Sequence, residues 1–328
     1  MSDHASRVAA EIEHYRAQVN IHDLPQIFHY WSHKYLGPHL KEVFGLDNMH
    51  EIFATELRTS ILSASGNPHI LSVGSGDACI EIAVAKRLLA GGFSGFRFHC
   101  VELNPHLVAR AEASARDEGL REHFEFHVAD LSSWRATQIY GAAFAHHSLH
   151  HIVALEHVFD QVRDHLADYG SFVTADMIGR NGHMRWPEAL SVVNELWAQI
   201  PRRYKYHHIW GREVDPYDNW DCSGESFEGI RAQDIMPCLV ERFHFTKLCV
   251  WGGILDQFID RGYGHNLDPN RPEDLAFVDT LWEREVQLLR TRAITPTVMV
   301  ASMQKRPGPL TSSFGLTAAE CIRRPDAG

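Results

Sequence analysis

The sequence predicts an α/β fold in which helices cover both faces of a seven-stranded, mostly parallel sheet. Two observations carry this prediction. Short apolar segments alternate with segments long enough to form a helix, as in domains built from strand–helix–strand units. In addition, the first apolar segment, 69–73, leads directly into Gly74-Ser75-Gly76, and glycines at the carboxyl end of a strand allow a tight turn that a ligand can approach closely.

The strands are predicted in chain order from their apolar composition and the polar or glycine residues that end them. They are expected at 69–73, 97–101, 124–129, 142–146, 171–175, near 240–250 and at 296–303. A helix that starts near Ala78 points its amides at the glycine turn. Glu102 ends the second strand, where a carboxylate can bind both hydroxyls of a ribose, so the pattern indicates a nucleotide cofactor.

The polar residues after the next two strands extend this pattern. Asp130 ends the third strand, and Ser148-Leu-His-His151 follows the fourth. The series resembles the class I S-adenosylmethionine (SAM) methyltransferases, a Rossmann-like family, over residues 65–180. The resemblance implies that the glycine turn holds the methionine part of SAM, that Glu102 holds the ribose and that Asp130 faces the adenine amine.

The cofactor site that the resemblance implies is larger than these three elements. Its predicted members are Ser72, Gly74, Ser75, Gly76, Asp77, Glu102, Leu103, Asn104, Asp130, Leu131, His146 and Tyr35.

The sequence departs from the family pattern at two positions. Ser72 stands where the family usually has an acid, and Ala78 where it often has a third glycine. Without the acid, the ammonium of SAM needs another acceptor, for which Asp77 is the candidate. A dehydrogenase is the weaker alternative, because it would favour a more compact Gly-x-Gly-x-x-Gly, and here position 79 is Cys79.

Four further segments are expected around the SAM-binding core at 65–180. Residues 1–64 should form an N-terminal helical lid, with one helix at 4–18 and two or three more at 24–63. Residues 181–237 should form a substrate-binding insertion before strand six, 238–305 should complete the sheet with a helical insertion, and 306–328 should be a flexible tail.

The lid is rich in aromatic residues and histidines. Tyr35 or His33 could therefore reach the cofactor. Phe28, Trp31 and Tyr35, however, recur at helical spacing, so packing on the core is an alternative interpretation.

The insertion combines acids with aromatic rings. Between residues 210 and 234 there are seven acids against two arginines, and two tryptophans and a tyrosine are interleaved with them. The acids are Glu213, Asp215, Asp218, Asp221, Glu225, Glu228 and Asp234, and the rings are Trp210, Tyr217 and Trp220. This composition suits a cationic substrate, although a solvated acidic loop is an equal alternative. Glu213 and Asp215 are the candidate catalytic acids.

Histidine is abundant, with 23 residues. No metal site is predicted, because no zincin-like spacing occurs and adjacent histidines on a strand point to opposite faces. His147, after strand four, and His183, after strand five, are the candidate catalytic histidines for proton transfer, although structural roles are the simpler interpretation for each.

The composition restricts the classes of partner that this chain is expected to bind. A net charge of −11 and a pI near 6.1 disfavour nucleic acid, and the six cysteines show no Cys-x-x-Cys spacing, which favours reduced, buried thiols. Neither a membrane span nor a secretory leader is indicated, so a cytoplasmic protein is expected. A homodimer is left open.

Three functions remain from the sequence. The favoured one is a small-molecule methyltransferase with an amine or guanidine acceptor, such as an arginine-like metabolite in natural-product biosynthesis. The second is an O-methyltransferase of a phenolic or carboxylic natural product, and the third is a non-catalytic SAM-binding module.

Overall fold

The computed structural model describes residues 6–9, 12–13, 24–224 and 226–325. Within these residues the strands are β1 (His69–Val73), β2 (Arg97–Glu102), β3 (Phe124–Val128), β4 (Tyr140–His146), β5 (Leu166–Met177), β6 (Tyr206–His207), β7 (Arg212–Glu213), β8 (His244–Trp251), β9 (Val298–Gln304) and β10 (Thr311–Ser312). The helices are α1 (Gln26–Trp31), α2 (Gly37–Phe44), α3 (Met49–Ser63), α4 (Cys79–Ala90), α5 (Pro105–Asp117), α6 (Leu155–His165), α7 (Pro187–Gln199), α8 (Ala232–Val240), α9 (Asp256–Ile259) and α10 (Pro272–Arg290).

Eight of these strands form one mixed sheet in the order β10-β8-β9-β5-β4-β1-β2-β3. Neighbours are parallel except at β9, which runs antiparallel to β5 and β8. The predicted α/β fold with a mostly parallel sheet is confirmed, and the short β10 adds an eighth strand to the seven expected. Strands β6 and β7 pair separately as a small hairpin.

The central strands are almost entirely apolar because helices cover both faces of the sheet. In β1, Ile70 faces one core cluster, whereas Leu71 and Val73 face the other. Ser72 lies on the same side as Ile70, since side chains alternate along a strand. The carboxyl ends of β1 to β5 meet at one edge of the sheet, so the residues that follow them can form one site.

The predicted N-terminal lid is helical over most of its described part. A π-helical turn, Ser32–Leu36, joins α1 to α2. Of the predicted helix at 4–18, residues 6–9 and 12–13 are helical, and the rest lies outside the described residues. Nδ2 of the Asn104 side chain donates to the carbonyl of Ile12 at 3.2 Å, so this segment approaches the carboxyl edge of the sheet. No described helix is both long and apolar enough to cross a lipid bilayer.

Part of the segment predicted as a flexible tail, residues 311–321, has regular structure and contacts the core. Strand β10 pairs in parallel with β8, and Leu316 and Cys321 are only 2% and 1% exposed in the core. A capping box between Thr317 and Glu320 closes the turn between them. The tail packs because these few apolar residues meet the core, which their sparse pattern in the sequence did not indicate. Residues 326–328 lie outside the described residues.

We expect Leu316→Ala to lower the free energy of unfolding by about 2–4 kcal/mol, because it removes a buried side chain and leaves a cavity. Urea unfolding would measure the loss. Leu310→Ala is the matched control, since Leu310 belongs to the same segment but is 37% exposed. Equal stability of the two variants would show that the segment does not contribute to the core.

Candidate active site

A cavity of about 1610 Å³ opens at the carboxyl edge of the sheet. The turn after β1, the α1–α2 region and the segment 207–228 supply its walls. Ten of the twelve predicted cofactor residues line it, namely Gly74, Ser75, Gly76, Asp77, Glu102, Leu103, Asn104, Asp130, Leu131 and His146. The structure therefore brings most of the predicted cofactor site together.

Glycine is required at position 74 by the backbone conformation and by the lack of space for a side chain. Gly74 has φ +66°, and a Cβ added there would lie 2.7 Å from the Cβ of Ser148. The Gly74 amide donates to the carbonyl of Val101 at 2.9 Å, which ties the turn to β2. A larger residue would thus be strained and would also push away the loop after β4.

Glu102 braces this turn from the end of β2. Its carboxylate accepts hydrogen bonds from the amides of Gly76 at 2.9 Å and Asn104 at 2.8 Å. Burial raises the pKa of Glu102 above its ordinary value, although these amides oppose the shift. Asp130 accepts from the Ser132 amide at 2.8 Å and lines the same cavity. Both acids therefore lie in the cavity wall, as the predicted cofactor site requires.

Ser72 does not line the cavity, which corrects its prediction as a cofactor ligand. Its hydroxyl donates instead to Oε1 of Glu81 at 2.6 Å, and both side chains are buried. Glu81, on the first turn of α4, does line the cavity, and burial raises its pKa to about 7. A carboxylate from the helix therefore lies beside Ser72, where the family usually has an acid. Asp77 also lines the cavity and accepts from the Cys79 amide at 3.2 Å.

Tyr35 is the second predicted cofactor residue that does not line the cavity. Its ring stacks on Trp282 of α10 at 5.5 Å, outside the cavity, so the interpretation as packing holds for this residue. His33 does line the cavity. The difference arises because the two side chains, two residues apart on a helical turn, point in different directions.

A second set of polar side chains lies at the ends of β4 and β5. The Asp176 carboxylate is fully buried and accepts from the amides of Ser148, Leu149 and Met177 at 2.8–3.0 Å. It also lies 2.6 Å from Nδ1 of His150. Burial alone would raise the pKa of Asp176, but His150 lowers it below its ordinary value.

Glu228 joins this set from the insertion. Its Oε1 lies 2.6 Å from Nε2 of His183 and 3.4 Å from Nε2 of His150, and its Oε2 lies 3.4 Å from Nε2 of His151. Burial would raise the pKa of Glu228, yet the hydrogen bonds from His150 and His183 hold it well below the ordinary range. We call these five residues, Asp176, His150, His151, His183 and Glu228, the histidine–carboxylate cluster.

Backbone contacts hold the two distant halves of the cluster together. The amide of Gly182 donates to the carbonyl of Gly229 at 2.9 Å. Asn181 and Gln233 exchange hydrogen bonds at 3.2 Å, each side chain accepting from the other's amide. Sequence reasoning selected His183 but missed its partner, because Glu228 is one acid among seven and lies 45 residues away.

The candidate catalytic acids Glu213 and Asp215 do not reach the cavity. Glu213 forms a two-pronged ion pair with Arg202 at 2.7–2.8 Å, and Asp215 pairs with Lys205 at 3.0 Å. Among the seven predicted acids, Asp218 and Glu228 line the cavity, and Glu225 lies outside the described residues. All three predicted rings do line the cavity, namely Trp210, Tyr217 and Trp220.

The sequence profile of a family described as "Methyltransferase domain" matches residues 70–170, which include the glycine turn, Glu102 and Asp130. These residues form a class I methyltransferase domain. The chain accordingly carries a SAM-dependent methyltransferase domain, and the dehydrogenase alternative is set aside. No curated protein matches the sequence.

Several solved structures resemble the methyltransferase at low identity. They include geranyl diphosphate C-methyltransferase from Streptomyces coelicolor A3(2), with 10% identity, 92% of this chain and 98% of that chain covered, and a TM-score of 0.49. A putative sarcosine dimethylglycine methyltransferase from Galdieria sulphuraria has 14% identity, coverages of 78% and 84%, and a TM-score of 0.46. The [4+2]-cyclase SpnF has 14% identity, coverages of 86% and 97%, and a TM-score of 0.43. Likenesses of this size leave the acceptor undetermined.

We expect Glu102→Ala to weaken SAM binding by about 1–3 kcal/mol, because charged hydrogen bonds to the ribose and the brace on the glycine turn are both lost. Isothermal titration with SAM would measure this. Glu125→Ala on the neighbouring strand β3 is the control and should bind SAM normally. Asp130→Ala should show a smaller loss than Glu102→Ala; a larger one would reverse the order of importance.

We expect Glu81 to hold the ammonium of SAM, so Glu81→Gln should weaken SAM binding by about 1–2 kcal/mol. Since the pKa of Glu81 is raised to about 7, its carboxyl is mostly protonated below that pH and ionised above it. SAM affinity should therefore rise between about pH 6 and pH 8, and this rise should vanish in Glu81→Gln. Asp77→Asn is the comparison, and a loss of the pH dependence there instead would assign the ammonium to Asp77.

Proposed function

We propose that the methyltransferase transfers the methyl group of SAM to an oxygen of a small molecule. The observation that carries this proposal is a wall of histidines in the same cavity as the glycine turn, formed by His147, His150, His151 and His183. The sulfonium of SAM is already a strong electrophile, so positioning supplies most of the acceleration. A hydroxyl nucleophile, however, arrives protonated and needs a base within hydrogen-bond reach.

His147 is the proposed base. Its backbone has φ +47°, and its amide donates to the carbonyl of Ala175 at 2.8 Å, so the residue is held between the ends of β4 and β5. Its side chain lines the cavity, and desolvation by the surrounding protein lowers its pKa. The ring is thus neutral at pH 7 and can accept a hydrogen bond from a substrate hydroxyl, and the same lowering of its pKa makes it a weaker base than a free imidazole. His183, the other candidate, is already hydrogen-bonded to Glu228.

The dimensions and charge of the protein favour a small acceptor. Pockets for drug-sized ligands have volumes of about 300–1,000 Å³, so a cavity of about 1610 Å³ has room for SAM together with a modest second molecule. The net charge of −11 opposes a nucleic-acid substrate.

An amine acceptor is the second candidate, and the mouth of the cavity favours it. The rings of Trp210 and Trp220 meet edge to face at 5.6 Å, and Tyr217 and Asp218 line the same region. Aromatic faces beside a carboxylate attract cations. Fewer carboxylates support an amine acceptor than the sequence suggested, because Glu213 and Asp215 form ion pairs outside the cavity.

Methyl transfer from labelled SAM to a metabolite extract, followed by mass spectrometry of the product, would test the two candidates. For an oxygen acceptor, His147→Asn should lower kcat by roughly 100-fold or more, since the base is lost, while SAM affinity stays near normal. His208→Asn is the matched control, because His208 is exposed and lies outside the cavity wall.

An N-methylated product would overturn the oxygen proposal. The amine reading predicts that Trp220→Ala and Asp218→Asn raise the KM for the acceptor, while His147→Asn keeps its turnover. If the product is O-methylated and His147→Asn is fully active in forming it, His147 is not the base.

A further inference from the structure

We propose that His150, His183 and Glu228 bind a divalent transition-metal ion, with Zn²⁺ as the ion their chemistry suits best. The inference concerns binding alone. It does not depend on the acceptor proposed above, and it runs against the expectation from sequence that there is no metal site.

The three side chains converge on one point of the cavity wall. Each offers one ligand atom, and these atoms all lie within 4.8 Å of one another. Both histidine Nε2 atoms are directed at the same carboxylate oxygen, Oε1 of Glu228, at 2.6 and 3.4 Å. Two imidazoles and one carboxylate form a common protein ligand set for catalytic zinc, which keeps a fourth position open.

Asp176 orients His150 as metal-binding proteins orient their histidines. With Nδ1 of His150 donating to Asp176 at 2.6 Å, the neutral ring presents a lone pair at Nε2. That lone pair faces Glu228 Oε1, which also carries only lone pairs. A proton on either atom, or a bound metal ion between them, removes the repulsion of the two lone pairs.

The cavity can supply the remaining ligand of a metal ion. His150, His183 and Glu228 all line the cavity, so a fourth ligand could come from it, as water or an oxygen of another molecule. Imidazole and carboxylate ligands suit zinc better than calcium or magnesium, which take mainly oxygen ligands.

A second cluster with metal-ligand spacing occurs among the described residues, and it supplies the control. It consists of His99, Glu125 and His127 on β2 and β3. Here Glu125 and His127 are about 40% exposed, and the cluster lies outside the cavity. Burial, orientation by Asp176 and a position in the cavity wall favour the first cluster.

The experiment is isothermal titration of the full chain with Zn²⁺ after removal of metal by EDTA, without SAM or acceptor. We expect one equivalent to bind, with affinity reduced about 100-fold or more in His183→Ala and in Glu228→Gln. His127→Ala should bind like the unmodified protein. Circular dichroism and SAM affinity would verify that each variant is folded. If only one of the two ligand variants folds, that variant is enough for the test.

Cobalt gives a second readout on the unmodified protein. Co²⁺ bound by the proposed nitrogen and oxygen ligands should show visible d–d absorption that added Zn²⁺ removes. Absence of stoichiometric Zn²⁺ binding, absence of this absorption, or binding lost in His127→Ala but kept in His183→Ala would each overturn the proposal. Because methyl transfer is not measured, failure here and failure of the oxygen-acceptor proposal are distinguishable.

Discussion

The buried carboxylate of Asp176 is the constraint on which the rest of the site depends. A charge removed from water is tolerated only when hydrogen bonds and an opposite charge replace its hydration. Asp176 obtains them from three backbone amides and from His150. These contacts fix the loop after β4 against the end of β5, and they also set which nitrogen of His150 faces the cavity. The same carboxylate therefore both fixes the loop after β4 and orients the His150 ring.

The pair of Ser72 and Glu81 shows how one physical requirement can be met from another element. The ammonium of SAM, if it lies near the end of β1 as expected, needs a carboxylate, and the strand supplies only a hydroxyl. The helix that follows places an acid there, and the serine hydroxyl donates to it at 2.6 Å. A carboxyl group is thus present near the end of β1, although it lies nine residues further along the chain than Ser72.

Sequence reasoning succeeded where the determining contacts are local. The glycine turn, Glu102 and Asp130 each lie at or near the carboxyl end of a strand, so their common edge follows from the parallel sheet alone. It failed where the outcome depends on a partner far along the chain. Glu213 and Asp215 were indistinguishable from Asp218 by composition, and only the positions of Arg202 and Lys205 decide which acids are neutralised outside the cavity.

The cluster itself was beyond the reach of pattern analysis for the same reason. Glu228 meets His183 only because the turn at 181–183 is pinned to the segment around 229–233. No periodicity or spacing rule encodes such a contact. Tyr35 illustrates a subtler limit, since helical spacing identified a packed face correctly but could not say which neighbour would cover it.

His147 and His183 share an unusual backbone conformation, with φ of +47° and +55°. Residues other than glycine are uncommon in this left-handed region, although asparagine, aspartate and histidine occur there more often than the rest, and each is less stable there by roughly 1 kcal/mol or more. Glycine at both positions would relieve this strain. Thermostability engineering that replaces such residues with glycine would therefore also remove two imidazoles from the cavity wall.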